Sequence, residues 1–214
     1  AAIKHIVGYP YGMITGFTQK RDPATGLLMF DQNGAPLGSD DFSIIGRGVP
    51  DFTGGFTNSF IWKGFNLSFL IDFKSGGDIF SGTNVMITKA GFQKQTLSGR
   101  DGEAPLVVSG LFEDKDNPGV FKEETRTLVK GEAQNYWNLL GDRTADRFTY
   151  DASFVKLRQI TLGYSLPSKL LNKTPFKGVM FSVVARNLAI LYKNTENIDP
   201  ESSYTNSNGQ GLDY

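Results

Sequence analysis

Cysteine is absent from the 214 residues, and histidine occurs once, as His5. Without thiols there can be neither a disulfide framework nor a thiolate metal site. A Ser/His/Asp triad would have to use His5, at the very start of the chain, so the ring is assigned a structural or solvent role. Charge of one sign is lacking too: 22 basic and 22 acidic side chains give a formal net charge of zero. No basic excess is available to neutralise phosphates, so nucleic acid is not expected as a partner. Long apolar runs are also missing. Stretches such as Val179-Met180-Phe181 and Val183-Val184-Ala185 fall far short of the roughly 18 apolar residues that a spanning helix needs. A barrel is not excluded by this, because alternating strands dilute the hydropathy signal. The opening residues Ala1-Ala2-Ile3-Lys4-His5 contain neither an initiator Met nor a signal-peptide pattern, and the chain is expected to be a portion of a longer protein.

What the chain does have is glycine, at 25 residues, and aromatics, at 13% with 17 Phe. Their placement carries a period of two. From Phe65 the odd positions are Phe65, Leu67, Phe69, Ile71 and Phe73, and the even ones are Asn66, Ser68, Leu70, Asp72 and Lys74. Successive side chains of a strand point to opposite faces, so one face is wholly apolar and the other mostly polar. Upstream, Phe56, Phe60 and Trp62 share a face interrupted by Asn58, and Lys63-Gly64 between the two runs predicts a tight hairpin. Residues 153–166 put Val155 and Leu157 on one parity but Ile160, Leu162 and Tyr164 on the other, which predicts a bulge at Arg158-Gln159. Pro167 ends that strand. A connection with one helical turn follows, and alternation resumes over 179–187 in a strand expected over 179–190, with Val179, Phe181, Val183 and Ala185 on one side. Two further strands are expected around Tyr9-Pro10-Tyr11-Gly12.

The intervening regions are long and polar. Residues 76–148 hold an amphipathic helix near 81–97 and then loop sequence, and 190–214 is rich in Asn, Ser, Tyr and Gly. Short turns at one end of the strands and long segments at the other is the asymmetry of an outer-membrane barrel. The turn at Lys63-Gly64 and the connection 167–178 would then face the periplasm.

Several motif-like patterns are weaker than they look. Ser153-Phe154-Val155-Lys156 matches a Ser-x-x-Lys nucleophile pattern only on a helix, whereas here it lies on a strand. Asp31-Gln32-Asn33-Gly34 opens like a calcium loop but lacks the downstream bidentate Glu, and reads as an Asn-Gly turn. The pairs Gly54-Gly55 and Gly76-Gly77 have no following Lys-Ser/Thr and are not phosphate cradles. No catalytic residue, metal or cofactor is assigned.

The blocks Pro50-Asp51-Phe52-Thr53-Gly54-Gly55-Phe56-Thr57-Asn58, Trp62-Lys63-Gly64-Phe65 and Leu67-Ser68-Phe69 are followed by Thr96 to Gly102 and Tyr136-Trp137. Then come Ala152 to Pro167, Arg186-Asn187-Leu188 and Asp199-Pro200-Glu201. In this order they resemble the carboxy-terminal part of the SusC/RagA family of TonB-linked outer-membrane transporters, from about residue 8 to 214. The resemblance implies an all-β fold: about six antiparallel transmembrane strands of a barrel of roughly 22, with long extracellular loops. Residues 1–214 would be a carboxy-terminal portion of the barrel, with plug and final strand absent. It further implies TonB-dependent import of an oligosaccharide or peptide, not catalysis. The implied partners are a SusD-like surface lipoprotein, TonB through an amino-terminal region, the remaining barrel and plug, and outer-membrane lipid. Phe65, Leu67, Phe69, Ile71, Phe73, Val179, Phe181 and Val183 are the expected lipid-facing residues. Trp62 and Tyr164 fall near strand ends, where an aromatic girdle belongs. Arg100, Tyr136 and Trp137 are the candidate ligand or partner contacts on an outer segment. The competing reading is a soluble carbohydrate-binding or structural β-sandwich, which would bury the Phe65–Phe73 face.

Overall fold

The computed structural model describes residues 1–202 and 211–213. Its strands are β1 (Ala2–Lys4), β2 (Met13–Gly16), β3 (Met29–Phe30), β4 (Ser43–Arg47), β5 (Phe52–Trp62), β6 (Phe65–Ser75) and β7 (Asp78–Ser81). Helix α1 (Gly82–Lys89) precedes β8 (Leu106–Glu113) and β9 (Phe121–Leu128). Helix α2 (Gly131–Arg143), β10 (Thr149–Asp151), β11 (Phe154–Ser165), α3 (Ser168–Leu171), β12 (Met180–Lys193) and β13 (Leu212–Asp213) complete the chain. The polar stretch expected over 190–214 lies partly outside the described residues, at 203–210 and 214, and β12 runs three residues further than the pattern predicts. The chain divides into two compact units, one of residues 50–76 and 152–195, the other of the remaining residues apart from Pro50 to Gly76 and Ala152 to Thr195.

The first of these units is a single antiparallel sheet in the order β12-β11-β6-β5. β5 and β6 pair without a break from Phe52↔Ser75 to Trp62↔Phe65, closed by Lys63 and Gly64. Both turn residues have positive φ, 46° and 88°, the geometry whose twist matches that of the flanking strands. Gly64 also lies under the neighbouring strand: a Cβ there would stand 2.9 Å from the Ser165 carbonyl oxygen. The expected irregularity in β11 is present as a register shift between Leu157 and Gln159 against both β6 and β12. α3 supplies the expected helical turn in the β11–β12 connection. Trp62, Phe65, Tyr164 and Phe181 lie level at one end of the sheet, where both connections are made. The segments 1–51, 76–153 and 194–214 all leave from the other end.

The second unit shows that the described residues of those long segments are folded. β1 and β2, the two strands expected at the start of the chain, pair with β4 in a sheet of their own, and Met13, Ile14 and Thr15 are buried. β7 carries β10 on one side and β13 on the other, and Ile14, Phe80, Phe148 and Leu212 form one core. β8 and β9 form a hairpin beside β3. The alternation in β8 buries Leu106, Val108 and Phe112 with Phe30, Leu128 and Ala133 in a second core. α1 is short because it is well bounded: the Ser81 hydroxyl accepts from the Asn84 N–H at 3.0 Å, and Gly91 with φ 76° turns the chain away. The helix near 81–97 is thus two pieces, α1 and a 3-10 turn at Lys94–Leu97. The turn at Asp31-Gly34 is an ordinary one, in which Asp31 Oδ1 accepts from the N–H groups of Asn33 and Ala35 at 2.9 Å.

Replacing Gly64 by Val forces a β-branched residue into the left-handed region. We expect unfolding of the intact protein in detergent and urea to lose about 1–2 kcal/mol, and an unchanged midpoint would contradict the turn geometry.

Candidate functional site

Directly opposed residues of an antiparallel sheet point to the same side, so the register defines two faces of β12-β11-β6-β5. One carries Phe56, Phe60 and Trp62 from β5, then Phe65, Leu67, Phe69, Ile71 and Phe73 from β6. It continues with Val155, Leu157, Ile160, Leu162 and Tyr164 from β11 and Phe181, Val183 and Ala185 from β12. Seven of the eight residues expected to face lipid therefore share this side. The eighth, Val179, just precedes β12, where its carbonyl accepts from the Leu166 N–H at 2.9 Å. Asn58, opposite Phe69, is the polar interruption that the sequence pattern contained.

The apolar face is uncovered among the described residues of its unit: Val183 is 72% exposed, Trp62 67% and Phe181 64%. Its rings contact one another across strands. Phe56 and Phe60 lie 6.2 and 6.3 Å from Phe69, and Phe65 lies 4.5 Å from Tyr164. Gly54 has a steric role here, since a Cβ at that position would sit 2.6 Å from Phe73 Cζ. The missing side chain lets the Phe73 ring lie over β5.

The opposite face is mostly polar and internally bonded, with Ile61, Leu70, Met180 and Val184 among its apolar members. Arg158 donates through Nε and Nη2 to Asp72 Oδ2 at 2.8 and 2.7 Å. Ser59 and Ser68 pair through their hydroxyls at 3.1 Å, and Gln159 Nε2 donates to Thr161 Oγ1 at 3.1 Å. The bulge explains the parity change in β11. Arg158 and Gln159 are both spent on the polar side, so Val155 and Leu157 before them and Ile160, Leu162 and Tyr164 after them stay on the apolar side. A sheet with one aromatic face and one polar, ion-paired face, connected shortly at one end only, has the construction of a wall segment from an outer-membrane β-barrel.

In the other unit, the three candidate contact residues separate. Arg100 and Trp137 line the same pocket, of about 400 Å³, with Thr88, Lys89, Lys130 and Gln134 among the other lining residues. Arg100 Nε donates to the Thr96 carbonyl at 2.9 Å, and Nη2 donates to the Gly91 carbonyl. The Trp137 indole N–H donates to the Ser98 carbonyl at 3.2 Å. Tyr136 turns the other way. Its ring stacks 6.5 Å from Phe30, it packs on the β8–β9 core, and burial pushes its hydroxyl pKa up. α2 was not expected within the loop sequence, yet Ala133, Tyr136, Trp137 and Leu140 have the three- and four-residue spacing that marks a helical stripe. Lys89 and Thr88 had no such signal, because α1 brings them to the pocket only through tertiary packing.

Similarity to known proteins follows the same lines. Over 213 residues the chain is 29% identical to TonB-dependent receptor P3 of Formosa agariphila, a match covering 96% of the chain and 19% of that receptor. It is 30% identical over 183 residues to TonB-dependent receptor P39 of the same organism, covering 82% of the chain and 16% of that receptor. The RagAB peptide importer in its closed-closed state superposes with a TM-score of 0.53 at 19% identity, over 96% of this chain and 22% of the matched one. A second structure of the RagAB peptide transporter gives 0.52 at 17% identity, over 96% of this chain and 21% of the matched one. No protein-family model matches the chain. The chain spans under a fifth of the length of these curated relatives. It is similar to a part of these TonB-dependent receptors. Its fold is that of part of a SusC/RagA-type barrel.

The different surroundings of Tyr136 and Lys130 predict different responses. Tyr136→Ala removes a ring from the β8–β9 core and is expected to cost about 3 kcal/mol of local stability, read as faster proteolytic nicking within residues 77–151 of the intact protein. Lys130→Gln, an exposed change, is expected to stay within about 0.5 kcal/mol. Equal nicking rates for the two variants would contradict the packing described.

Proposed function

We propose that the intact protein imports a nutrient, an oligosaccharide or a peptide, across the outer membrane by TonB-dependent transport, and that this chain supplies barrel wall and outer segments. In this reading the aromatic face meets acyl chains, and the polar face turns toward the barrel interior. A SusD-like surface lipoprotein covers the mouth. The remaining barrel, the plug and the TonB-contacting region lie outside these 214 residues. The protein works by binding, gating and coupling, with no bond-making step.

The observation that carries this reading is the sidedness of β12-β11-β6-β5. A soluble β-sandwich would use such a face as its core, covered by a second sheet. The similarity to two TonB-dependent receptors supports the same reading, and the RagAB match supports it at the level of fold. β5 and β12 are the edges of the four-stranded sheet, and within hydrocarbon such edges must pair with further strands.

Two tests address the reading at different levels. Phe69 lies near the middle of β6, so Phe69→Lys is expected to cost the intact protein about 2–4 kcal/mol on refolding into vesicles, whereas Ser68→Lys on the other face stays within about 0.5 kcal/mol. Equal effects would remove the lipid-facing assignment. Deleting the gene is expected to abolish growth on one class of oligosaccharide or peptide while sparing the corresponding monomers, and deleting the TonB gene should give the same loss. Normal growth on every such polymer the parent strain uses would overturn the import reading.

A further inference from the structure

The pocket at Arg100 and Trp137 has a charge bias that the chain as a whole lacks. Its charged lining consists of Lys89, Arg100, Lys130 and Asp101, three cations to one carboxylate, in a chain of zero formal charge. Lys89 is engaged, since its Nζ pairs with Asp142 outside the lining. The other two cations have capacity left. Arg100 uses Nε and Nη2 on Thr96 and Gly91, which fixes the guanidinium plane and leaves Nη1 without a partner among the described residues. Lys130 Nζ lies 3.5 Å from Asp101 Oδ2, with both side chains more than 70% exposed, a pairing that solvent screens heavily.

Backbone features converge on the same place. Gly131 and Ala133, in the first turn of the thirteen-residue helix α2, line the pocket, and no side chain caps that end. The Glu132 and Gln134 N–H groups bond to the Val129 and Lys130 carbonyls at 3.0 and 2.9 Å, which leaves the Gly131 and Ala133 N–H groups of the first turn, beside the Glu132 carboxylate, to favour an anion. Lys130 holds φ 41° and ψ −109° at this corner, an unusual conformation for a residue with a side chain. Independently, Thr88 is another lining residue, fully buried, and its hydroxyl has no hydrogen-bond partner. Trp137 supplies an aromatic surface whose orientation is held by the bond to Ser98 and by edge-on contact with Tyr136 at 5.1 Å.

We propose that this pocket binds a saccharide unit bearing a carboxylate or sulfate, with the anion at Lys130, Arg100 Nη1 and the first turn of α2, and the apolar face of the sugar ring against Trp137. This rests on the import reading and narrows its substrate class. A charge-assisted bond to Arg or Lys supplies the discrimination against neutral sugars, and the flat indole favours a ring over an extended peptide.

The test uses the intact protein in detergent, with binding read by titration calorimetry for a tetragalacturonate, a heparin-derived tetrasaccharide, neutral cellotetraose and a tetra-aspartate peptide. At least one acidic saccharide is expected to bind about tenfold or more tightly than cellotetraose and the peptide, and Lys130→Gln is expected to weaken it by about fivefold or more. Because Arg100 also ties its own loop together, Lys130→Gln, whose side chain is exposed, carries the decision. Which acid binds distinguishes carboxylate from sulfate recognition. Failure of both acidic saccharides, equal binding of cellotetraose or the peptide, or unchanged affinity in Lys130→Gln overturns the proposal. The deletion phenotype decides the import reading separately: transport that persists without acidic-saccharide binding removes only this assignment.

Discussion

The constraint that organises the chain is that each strand of β12-β11-β6-β5 carries apolar side chains on one side and mostly polar ones on the other. One side presents Phe, Leu, Ile and Val, interrupted at Asn58, and the other presents Ser, Thr, Asn, Gln and an Arg158–Asp72 ion pair, with Leu70 and Val184 among its few apolar residues. A slip of one residue in any strand would exchange the faces. Each device in the sheet guards against that. The two-residue turn at Lys63-Gly64 locks β5 to β6, and the bulge at Arg158 keeps β11 in phase beyond its change of parity. Gly54 makes space for the Phe73 ring without moving the ladder.

The other unit obeys ordinary core physics. Its hydrophobic clusters around Phe30 and Phe112, and around Ile14 and Phe148, are small, closed and fully covered. That contrast matters for the functional reading, because it is the same chain that buries Phe112 completely and leaves Phe181 64% exposed. In the proposed reading, an external apolar phase covers the sheet's face, whereas ordinary core packing covers the clusters of the other unit.

Much of the wall was legible in the sequence, because a half-apolar strand writes its geometry directly into a period of two. The runs at 52–75 and 153–166 gave the strands, the tight turn and the bulge, with boundaries close to those observed. The outer segments were far less legible. Beyond the helix expected near 81–97, polar composition and turn residues up to 148 read as loop, yet the segment contains a hairpin and a thirteen-residue helix. Its apolar residues are few and find their partners at long range, as when Leu128 and Ala133 meet Phe30. The pocket was half legible: Arg100 and Trp137 stood out by residue type, whereas Lys130, Thr88 and Lys89 reach it through the meeting of α1 and α2. Tyr136 stood out by the same aromatic character on the same outer segment, but on a helix neighbouring residues do not share a face, and it packs on the core instead.

The central claim is the identity of the phase that contacts the aromatic face, and a nitroxide scan of positions 65–75 in the intact, bilayer-reconstituted protein tests it most directly. The account predicts collision with dissolved oxygen at Phe65, Leu67, Phe69, Ile71 and Phe73, alternating with low oxygen accessibility at Asn66, Ser68, Leu70, Asp72 and Lys74. Labels at the odd positions that are shielded from oxygen and from water-soluble relaxants alike would mean that protein covers the face, and would contradict it.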